Sequence, residues 1–383
     1  MRRAVIALLA ASAAATPAAA TPIELTGDAL DRGSLLAQPS VYRVEASFRL
    51  RGVTTATGRP VPLPRRARTV RIAGVAFGVA PGGYLVTAAH VVRPDGATLA
   101  ARAAEQAAPP RGRDGAGGPA AGTELRPVGT PLALLGVRQH APGEEGSRAW
   151  RARVVAVDPV RDLALLKIPA PAAPSLLIAG TVPAAGLRLA TFRTDADGRV
   201  AVVHGRAGDT QLFSRLGREG TRLRADLRPG DSGTPAVDAL GRVRGVLVAR
   251  LPDAGAGVLE PVWSVRRLLG EAGVRNLEGP AAGRFRRAMD ALWRLDPAAA
   301  RRGLLATLAA YRNHALAERE LETVRRIASA DFRIAGPSRT RGALLAGGAT
   351  AAAVAAACGL ALLRRPRPEG PRIHAGGAEN DAE

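Results

Sequence analysis

The sequence predicts an all-β body, a sandwich or a barrel, followed by a small helical region. Two observations carry this. Between Val41 and Ala249, short runs rich in Val, Leu, Ile and Phe recur, each bounded by Gly, Pro or Asp, which is the pattern of many short strands joined by tight turns. From Val262 onward that punctuation gives way to helix-like spacing, as in VWSVRRLLGEA.

Taken in order, the chain opens with Arg2 and Arg3, an apolar run from Ala4 to Ala15, and Ala18-Ala19-Ala20 before Thr21. A basic start, a short apolar middle and a small-residue end make residues 1–20 a secretory signal peptide, cleaved after Ala20. Val41 to Leu50 is the first expected strand. Residues 70–92 form a hairpin about the Pro81-Gly82-Gly83 turn, with His90 just beyond its second strand. Ala97 to Gly122 is turn-rich and of low complexity, and is expected to be an exposed insertion without an element. Further strands are expected at Pro131–Val137, Ala149–Val157, Asp162–Ile168, Leu187–Phe192, Val200–Val203, Thr221–Leu227 and Val243–Ala249. Helices are expected at Val262–Ala272, Ala281–Leu295 and Pro297–Ile327, the last with Asp296 as N-cap and Pro297 at its first position. Gly342 to Leu363 is uncharged, and as a helix it would extend about 33 Å, enough to cross a bilayer once. Arg364, Arg365 and Arg367 follow it, so residues 364–383 are expected to form a cytoplasmic tail, with the body outside.

Composition narrows the classes further. With 383 residues, 47% hydrophobic and 23% charged, the chain is neither wholly disordered nor a polytopic membrane protein. The excess of 54 basic over 33 acidic residues gives +21, nearly all of it arginine. An arginine excess spread along the whole chain is read first as a basic solvated surface, with affinity for anionic lipid or wall polymer the alternative, and no nucleic-acid partner is expected. Cys358 is the only cysteine, which excludes an internal disulfide and cysteine-rich zinc sites. No metal or other cofactor is expected.

Three residues stand in settings that carry chemistry. His90 lies in Thr87-Ala88-Ala89-His90, Asp162 in Asp158-Pro159-Val160-Arg161-Asp162, and Ser232 in Pro229-Gly230-Asp231-Ser232-Gly233-Thr234-Pro235. A serine hydroxyl needs a base to become a nucleophile at neutral pH, and an imidazole base needs an orienting acceptor on its other nitrogen. His90 and Asp162 supply both. Gly230 lets the backbone turn so that its N–H and that of Ser232 converge on one point, where a tetrahedral oxyanion would form. Asp158 is a rival to Asp162, but the proline after it suits a turn.

These blocks resemble those of the trypsin-like serine proteases, and within them the bacterial Deg/HtrA type, over roughly residues 40–272. The resemblance implies a chymotrypsin-like domain of two six-stranded antiparallel β-barrels, with the catalytic triad His90, Asp162 and Ser232 between them. It implies a serine endopeptidase acting on proteins or peptides through an acyl-enzyme. The expected architecture is thus an all-β catalytic domain, a helical spacer at 281–330 and one transmembrane helix at 342–363, anchored in the cytoplasmic membrane. A catalytically silent binding module of the same fold is the alternative. Thr234 stands where the family usually has glycine, and no PDZ domain follows. Asp226, six residues before Ser232, matches the floor of the family's primary specificity pocket, with Arg250 on the expected pocket wall. Two readings stay open there: a basic-residue preference, or a structural Asp226 with a small-apolar preference. Asp231 needs a cation or several N–H donors if buried, and no start of the IVGG kind precedes the barrels to provide a new amine.

Overall fold

The computed structural model describes residues 28–107, 124–140, 147–214, 216–251 and 255–334, with side chains to residue 327. The expected signal peptide at 1–20, the apolar stretch 342–363 with Cys358 and the tail 364–383 lie outside the described residues. Among those described, no helix is long and apolar enough to cross a membrane.

Helix α1 (Ala29–Ala37) is capped by Asp28, whose carboxylate accepts the Leu30 N–H at 2.9 Å. Strand β1 (Val41–Arg49) buries Val44, Ala46 and Phe48 and turns Arg43, Glu45, Ser47 and Arg49 outward, the two-residue period of a half-buried strand. After the short β2 (Val53–Thr55) and β3 (Pro60–Val61), β4 (Thr69–Ala80) and β5 (Tyr84–Ala88) form the expected hairpin. Gly83 sits at φ +81°, and a Cβ there would lie 2.5 Å from the Ile168 carbonyl oxygen, so the turn admits only glycine. Helices α2 (Ala89–Val92) and α3 (Gly96–Ala107) follow. The second corrects the expectation of an element-free insertion at 97–122. Leu99, Ala100, Ala103 and Ala104 bury one helical face, and the alanines that made the segment look featureless are the best helix formers.

The chain continues with β6 (Leu125–Pro127), β7 (Leu132–His140), β8 (Ser147–Arg151), β9 (Arg153–Asp158) and β10 (Leu163–Lys167). The main N-terminal sheet has seven strands in the order β8-β7-β1-β4-β5-β10-β9, which departs from the expected closed six-stranded barrel. The difference lies at Ala152. The run expected as one strand, Ala149–Val157, breaks there: β8 pairs with β7 and β9 with β10. The Ala152 N–H still reaches the Leu135 carbonyl at 3.0 Å. Sheet twist carries one strand away from its first partner before it can meet a second, so one run serves two neighbours in turn. A separate three-stranded sheet, β3-β2-β6, lies outside this order.

The second half closes as expected. Strands β11 (Arg188–Thr194), β12 (Val200–Phe213), β13 (Arg218–Ala225), β14 (Pro235–Val237), β15 (Val243–Arg250) and β16 (Ala256–Pro261) make a closed barrel in the order β11-β12-β13-β16-β15-β14. Leu189, Leu223, Leu247 and Leu259 are among its buried core residues.

Helices α4 (Val262–Glu271), α5 (Pro280–Trp293), α6 (Pro297–Ala310) and α7 (Ala315–Ile334) complete the described chain. Asp296 caps α6 as expected, accepting the Ala299 N–H at 2.9 Å. The single helix expected over Pro297–Ile327 is two, because His314 starts a new one. Its Nδ1 accepts the Ala317 N–H at 3.1 Å, and its ring lies 4.4 Å from that of Phe285. Nor do these helices stand off as a spacer. Tyr311 is buried in the core of the N-terminal sheet and donates its hydroxyl to Gln139 Oε1 at 2.6 Å. Leu35 and Leu36 of α1 pack against the cluster formed by α5, α6 and α7. The compact unit that ends at Ile327 contains the seven-stranded sheet, the closed barrel, helices α4 to α6 and the first part of α7.

His314 is 1% exposed, and burial holds its pKa down at about 3. The folded protein therefore keeps it neutral while the unfolded chain protonates it below about pH 6.5. Its contribution to stability is complete above that pH and falls by about 1.4 kcal/mol per unit as the pH drops toward 3. Denaturant melts between pH 7 and 4 are expected to show a steeper loss for the wild type than for His314→Asn, which keeps a capping acceptor without the titration. Parallel curves would assign the acid sensitivity elsewhere.

Candidate active site

His90 is the second residue of α2, directly after β5. Its Nδ1 lies 2.7 Å from Asp162 Oδ2, while its own backbone N–H donates to Asp162 Oδ1 at 2.8 Å. The Ala89 N–H donates to the Asp162 carbonyl at 2.9 Å. These three bonds fix the relation of acid to imidazole. Asp162 sits at φ 53°, a left-handed conformation in which Asp is enriched among non-glycine residues. The side chain of His90 is 43% exposed and that of Asp162 is 19% exposed, so the imidazole faces solvent and its partner does not.

The turn that carries Asp162 is itself clamped. Asp158, the rival acid, accepts the Arg161 N–H at 2.9 Å and pairs with Arg267 of α4, which makes it a turn-former as its proline suggested. Burial pushes its carboxyl upward, but those two donors outweigh burial and hold it below the usual carboxylate range. Arg161 lies over the Trp263 ring at 4.3 Å and reaches the fully buried Glu260 at 3.5 Å. Glu260 also accepts the Ser264 hydroxyl at 2.5 Å and lies 3.1 Å from Arg218. Burial raises its carboxyl above the ordinary range. None of the Glu260 contacts was legible beforehand, because the residue sits inside an ordinary-looking strand.

Ser232 lies between two glycines in left-handed conformations, Gly230 at φ +96° and Gly233 at φ +88°. The Val75 N–H donates to the Ser232 carbonyl at 2.9 Å. A Cβ on Gly233 would lie 2.2 Å from the Val75 carbonyl oxygen and 2.9 Å from the Ala88 nitrogen. The serine turn of the second barrel is thus pressed against β4 and the end of β5, two residues before His90. Among the described residues no hydrogen bond joins the Ser232 hydroxyl to the imidazole, and such bonds often tighten only when substrate binds.

Around that turn, the N–H groups of Asp231, Gly233 and Thr234 donate to Arg228, Leu247 and Asp231 carbonyls at 3.1, 2.7 and 3.1 Å. Those of Gly230 and Ser232 have no acceptor among the described residues. Thr234, the departure from the family pattern, is fully buried, and its hydroxyl accepts the Phe192 N–H at 3.0 Å. It satisfies a strand donor that a glycine would leave open.

Asp231 is 3% exposed. Its partner is Arg193 of β11, whose Nε lies 3.2 Å from Oδ1 and whose terminal nitrogen lies 3.0 Å from Oδ2, and the Arg228 N–H adds a third bond at 2.7 Å. Hydrogen bonding and charge from Asp231 raise the Arg193 pKa further above its ordinary value. The sequence pointed to a cation here but not to which of its many arginines. Asp226 is 66% exposed and pairs with Arg228 at 3.0 Å and Arg193 at 3.6 Å. Arg250 is exposed at the end of β15. Among the described residues, no group of three or more His, Cys, Asp or Glu side chains is placed to hold a metal ion.

An imidazole fixed by a carboxylate, beside a glycine-flanked serine turn at the junction of a closed barrel and a second rolled sheet, defines the class of chymotrypsin-like serine peptidases. The model of the trypsin-like peptidase domain family matches residues 74–246, which include His90, Asp162 and Ser232. Over that segment the chain carries a trypsin-like peptidase domain, which implies protein or peptide substrates. Among solved structures, the active form of the Rv3671c protease from M. tuberculosis is 21% identical, with a TM-score of 0.42, covering 70% of this chain and 97% of that one. Its inactive form is 20% identical, with a TM-score of 0.40, over 65% of this chain and 97% of that one. The serine endoprotease from Yersinia pestis is 18% identical, with a TM-score of 0.40, over 64% of this chain and 67% of that one. At these scores the family match and the local geometry carry the assignment. Curated proteins contain no match to the chain.

Proposed function

We propose that the protein is an extracytoplasmic serine endopeptidase in which Ser232 is the nucleophile, His90 the general base and Asp162 the group that orients it. The observation that supports this most is the double hold of Asp162 on His90, Oδ2 to Nδ1 at 2.7 Å and Oδ1 to the backbone N–H at 2.8 Å. With its Nδ1 proton held by Asp162, the imidazole presents an unprotonated Nε2 to the serine. As Ser232 Oγ attacks the peptide carbonyl, its proton passes to Nε2 and the carbonyl oxygen becomes an oxyanion. The N–H groups of Gly230 and Ser232 receive it, each such donor being worth about 2.7–4 kcal/mol in the transition state. The C–N bond then breaks as the imidazolium protonates the leaving amine. Water, deprotonated by the same imidazole, hydrolyses the acyl-enzyme. A fluorophosphonate probe is expected to label the wild type and not Ser232→Ala. An unlabelled wild type would favour the silent binding module instead.

The specificity reading supported best is a structural Asp226. A carboxylate that is largely exposed and already paired with two arginines has little charge left for a basic substrate side chain. Arg250, exposed at the end of β15, adds a further cation to the barrel. A peptide-library profile is expected to favour small apolar residues ahead of the scissile bond and to stay unchanged in Asp226→Ala. A wild-type preference for Arg or Lys that Asp226→Ala abolishes would restore the pocket role.

The uncharged stretch 342–363, read from sequence, anchors this catalytic unit to the cytoplasmic membrane, with the barrels on the outer side after removal of residues 1–20. Attachment that survives high salt and yields to detergent tests the anchor.

A further inference from the structure

One face of the N-terminal sheet sets exposed leucines beside a cluster of arginines. On β1, β4 and β7 the outward positions align in rows: Leu132 beside Arg49 beside Thr69, and Leu134 beside Ser47 beside Arg71. Leu132 is 71% exposed and Leu134 is 63% exposed. Arg51 follows β1, and Arg65, Arg66 and Arg68 lie in the single 3-10 turn that leads into β4. Arg49, Arg51, Arg65 and Arg68 line a shallow cavity of about 330 Å³, whose rim includes Leu132. No carboxylate lies among its lining residues, and among the described residues none of these arginines is ion-paired. Val128, 45% exposed, adds a further apolar group beside Gly52. Arginines placed beside carboxylates elsewhere are ion-paired, as Arg43 is by Glu45 and Arg244 by Asp238.

We propose that this face docks on an anionic lipid surface. Scattered exposed leucines are ordinary on a soluble protein, but two successive outward positions of one strand, flanked by unpaired guanidiniums, form an amphipathic patch. Guanidiniums bind phosphate oxygens in paired geometry, and a negatively charged leaflet concentrates them within a Debye length. The leucines supply the other half of the match, since they enter the headgroup–acyl boundary. A phosphate polymer such as nucleic acid satisfies the arginines but offers the aliphatic side chains nothing comparable.

The position of the face suits a peptidase. Along β4 it lies at Thr69, six residues from Val75, which contacts the Ser232 turn. At the rise of a β-strand that is about 20 Å. Docking there leaves the cleft free for polypeptide. The inference concerns how the catalytic unit is held against the membrane, and stands independently of stretch 342–363 and of the reaction at Ser232.

The test uses the full chain with a polarity-sensitive dye on a single thiol, Leu132→Cys in a Cys358→Ser background. Vesicles are of phosphatidylcholine alone or mixed with phosphatidylglycerol. Emission at position 132 is expected to shift to the blue only with phosphatidylglycerol and to revert in high salt. A dye at Leu240→Cys, on an exposed turn of the second barrel, is expected to stay unchanged. Combining Arg49→Glu, Arg51→Glu, Arg65→Glu and Arg68→Glu should weaken the phosphatidylglycerol-dependent response by on the order of ten-fold or more, with the thermal midpoint retained. Insertion of 342–363 alone cannot produce this pattern, because it would act in both lipids and in both charge variants. No shift at 132, an equal shift in phosphatidylcholine, or an equal shift on adding duplex DNA would overturn the proposal, the last by assigning the face to polyanions.

Discussion

Replacing Ser232, His90 or Asp162 by alanine is expected to lower peptide turnover by about four to six orders of magnitude. In the proposed mechanism Ser232→Ala removes the attacking oxygen and His90→Ala the base that takes its proton. Asp162→Ala removes two acceptors at once, one for Nδ1 and one for the His90 backbone N–H, so both the tautomer and the position of the imidazole are lost. The three act as one device, and any double variant should be little worse than the weaker single one. Folding is not at issue for Ser232→Ala, whose backbone contacts to Val75 are unchanged by the substitution. The measurement is steady-state hydrolysis of a peptide reporter, normalised to protein with a wild-type melting midpoint. Retention of turnover within ten-fold by Ser232→Ala would end the assignment of that serine.

The second large effect is expected at Arg193, which touches no substrate and acts by positioning. Arg193→Met leaves the Asp231 carboxylate buried without its cation, and removing one member of such a pair costs about 3–5 kcal/mol. Because the guanidinium is 23% exposed, solvent screens part of this and the lower end applies. Asp231 is adjacent to Ser232, so its displacement moves the backbone N–H groups meant for the oxyanion, and kcat should fall by about a hundred-fold or more. Removing the charge from the other side as well, in Arg193→Met with Asp231→Asn, is expected to recover most of the stability while kcat stays low. A merely structural pair would recover both together. Melting midpoints and kcat, measured side by side for the single and double variants, separate the two outcomes.

What could be read from the sequence divides along sequence distance. His90, Asp162 and Ser232 each stand in a local frame of turn and strand residues, so a dozen neighbours suffice to mark them. Arg193 is 38 residues from its partner Asp231, and Glu260 binds an arginine 99 residues away. No local pattern encodes such pairings, and an arginine-rich chain multiplies the candidates. Strand limits failed for a related reason. Ala152 sits in a run that Trp150, Val154, Val155 and Val157 mark as one strand, and it breaks because β7 pairs with the first part and β10 with the second, which is a tertiary decision. Helix α3 is masked by composition, since its alanines run directly into a glycine- and proline-rich stretch. The hairpin at Pro81-Gly82-Gly83 and the cap at Asp296 were legible because turn and cap geometry are decided within four or five residues.

The guanidinium clamp on Asp231 has a consequence for the range of conditions over which the nucleophile stays organised. A clamp made by a chain-terminal amine would lose its proton near pH 8 and with it the charge that holds the turn. Arg193 keeps its proton far into the alkaline range, its affinity for it raised further by Asp231. It also belongs to β11 from the start, so no bond has to be cut to create it. The clamp therefore forms as the second barrel closes, and its charge is supplied without any chain cleavage.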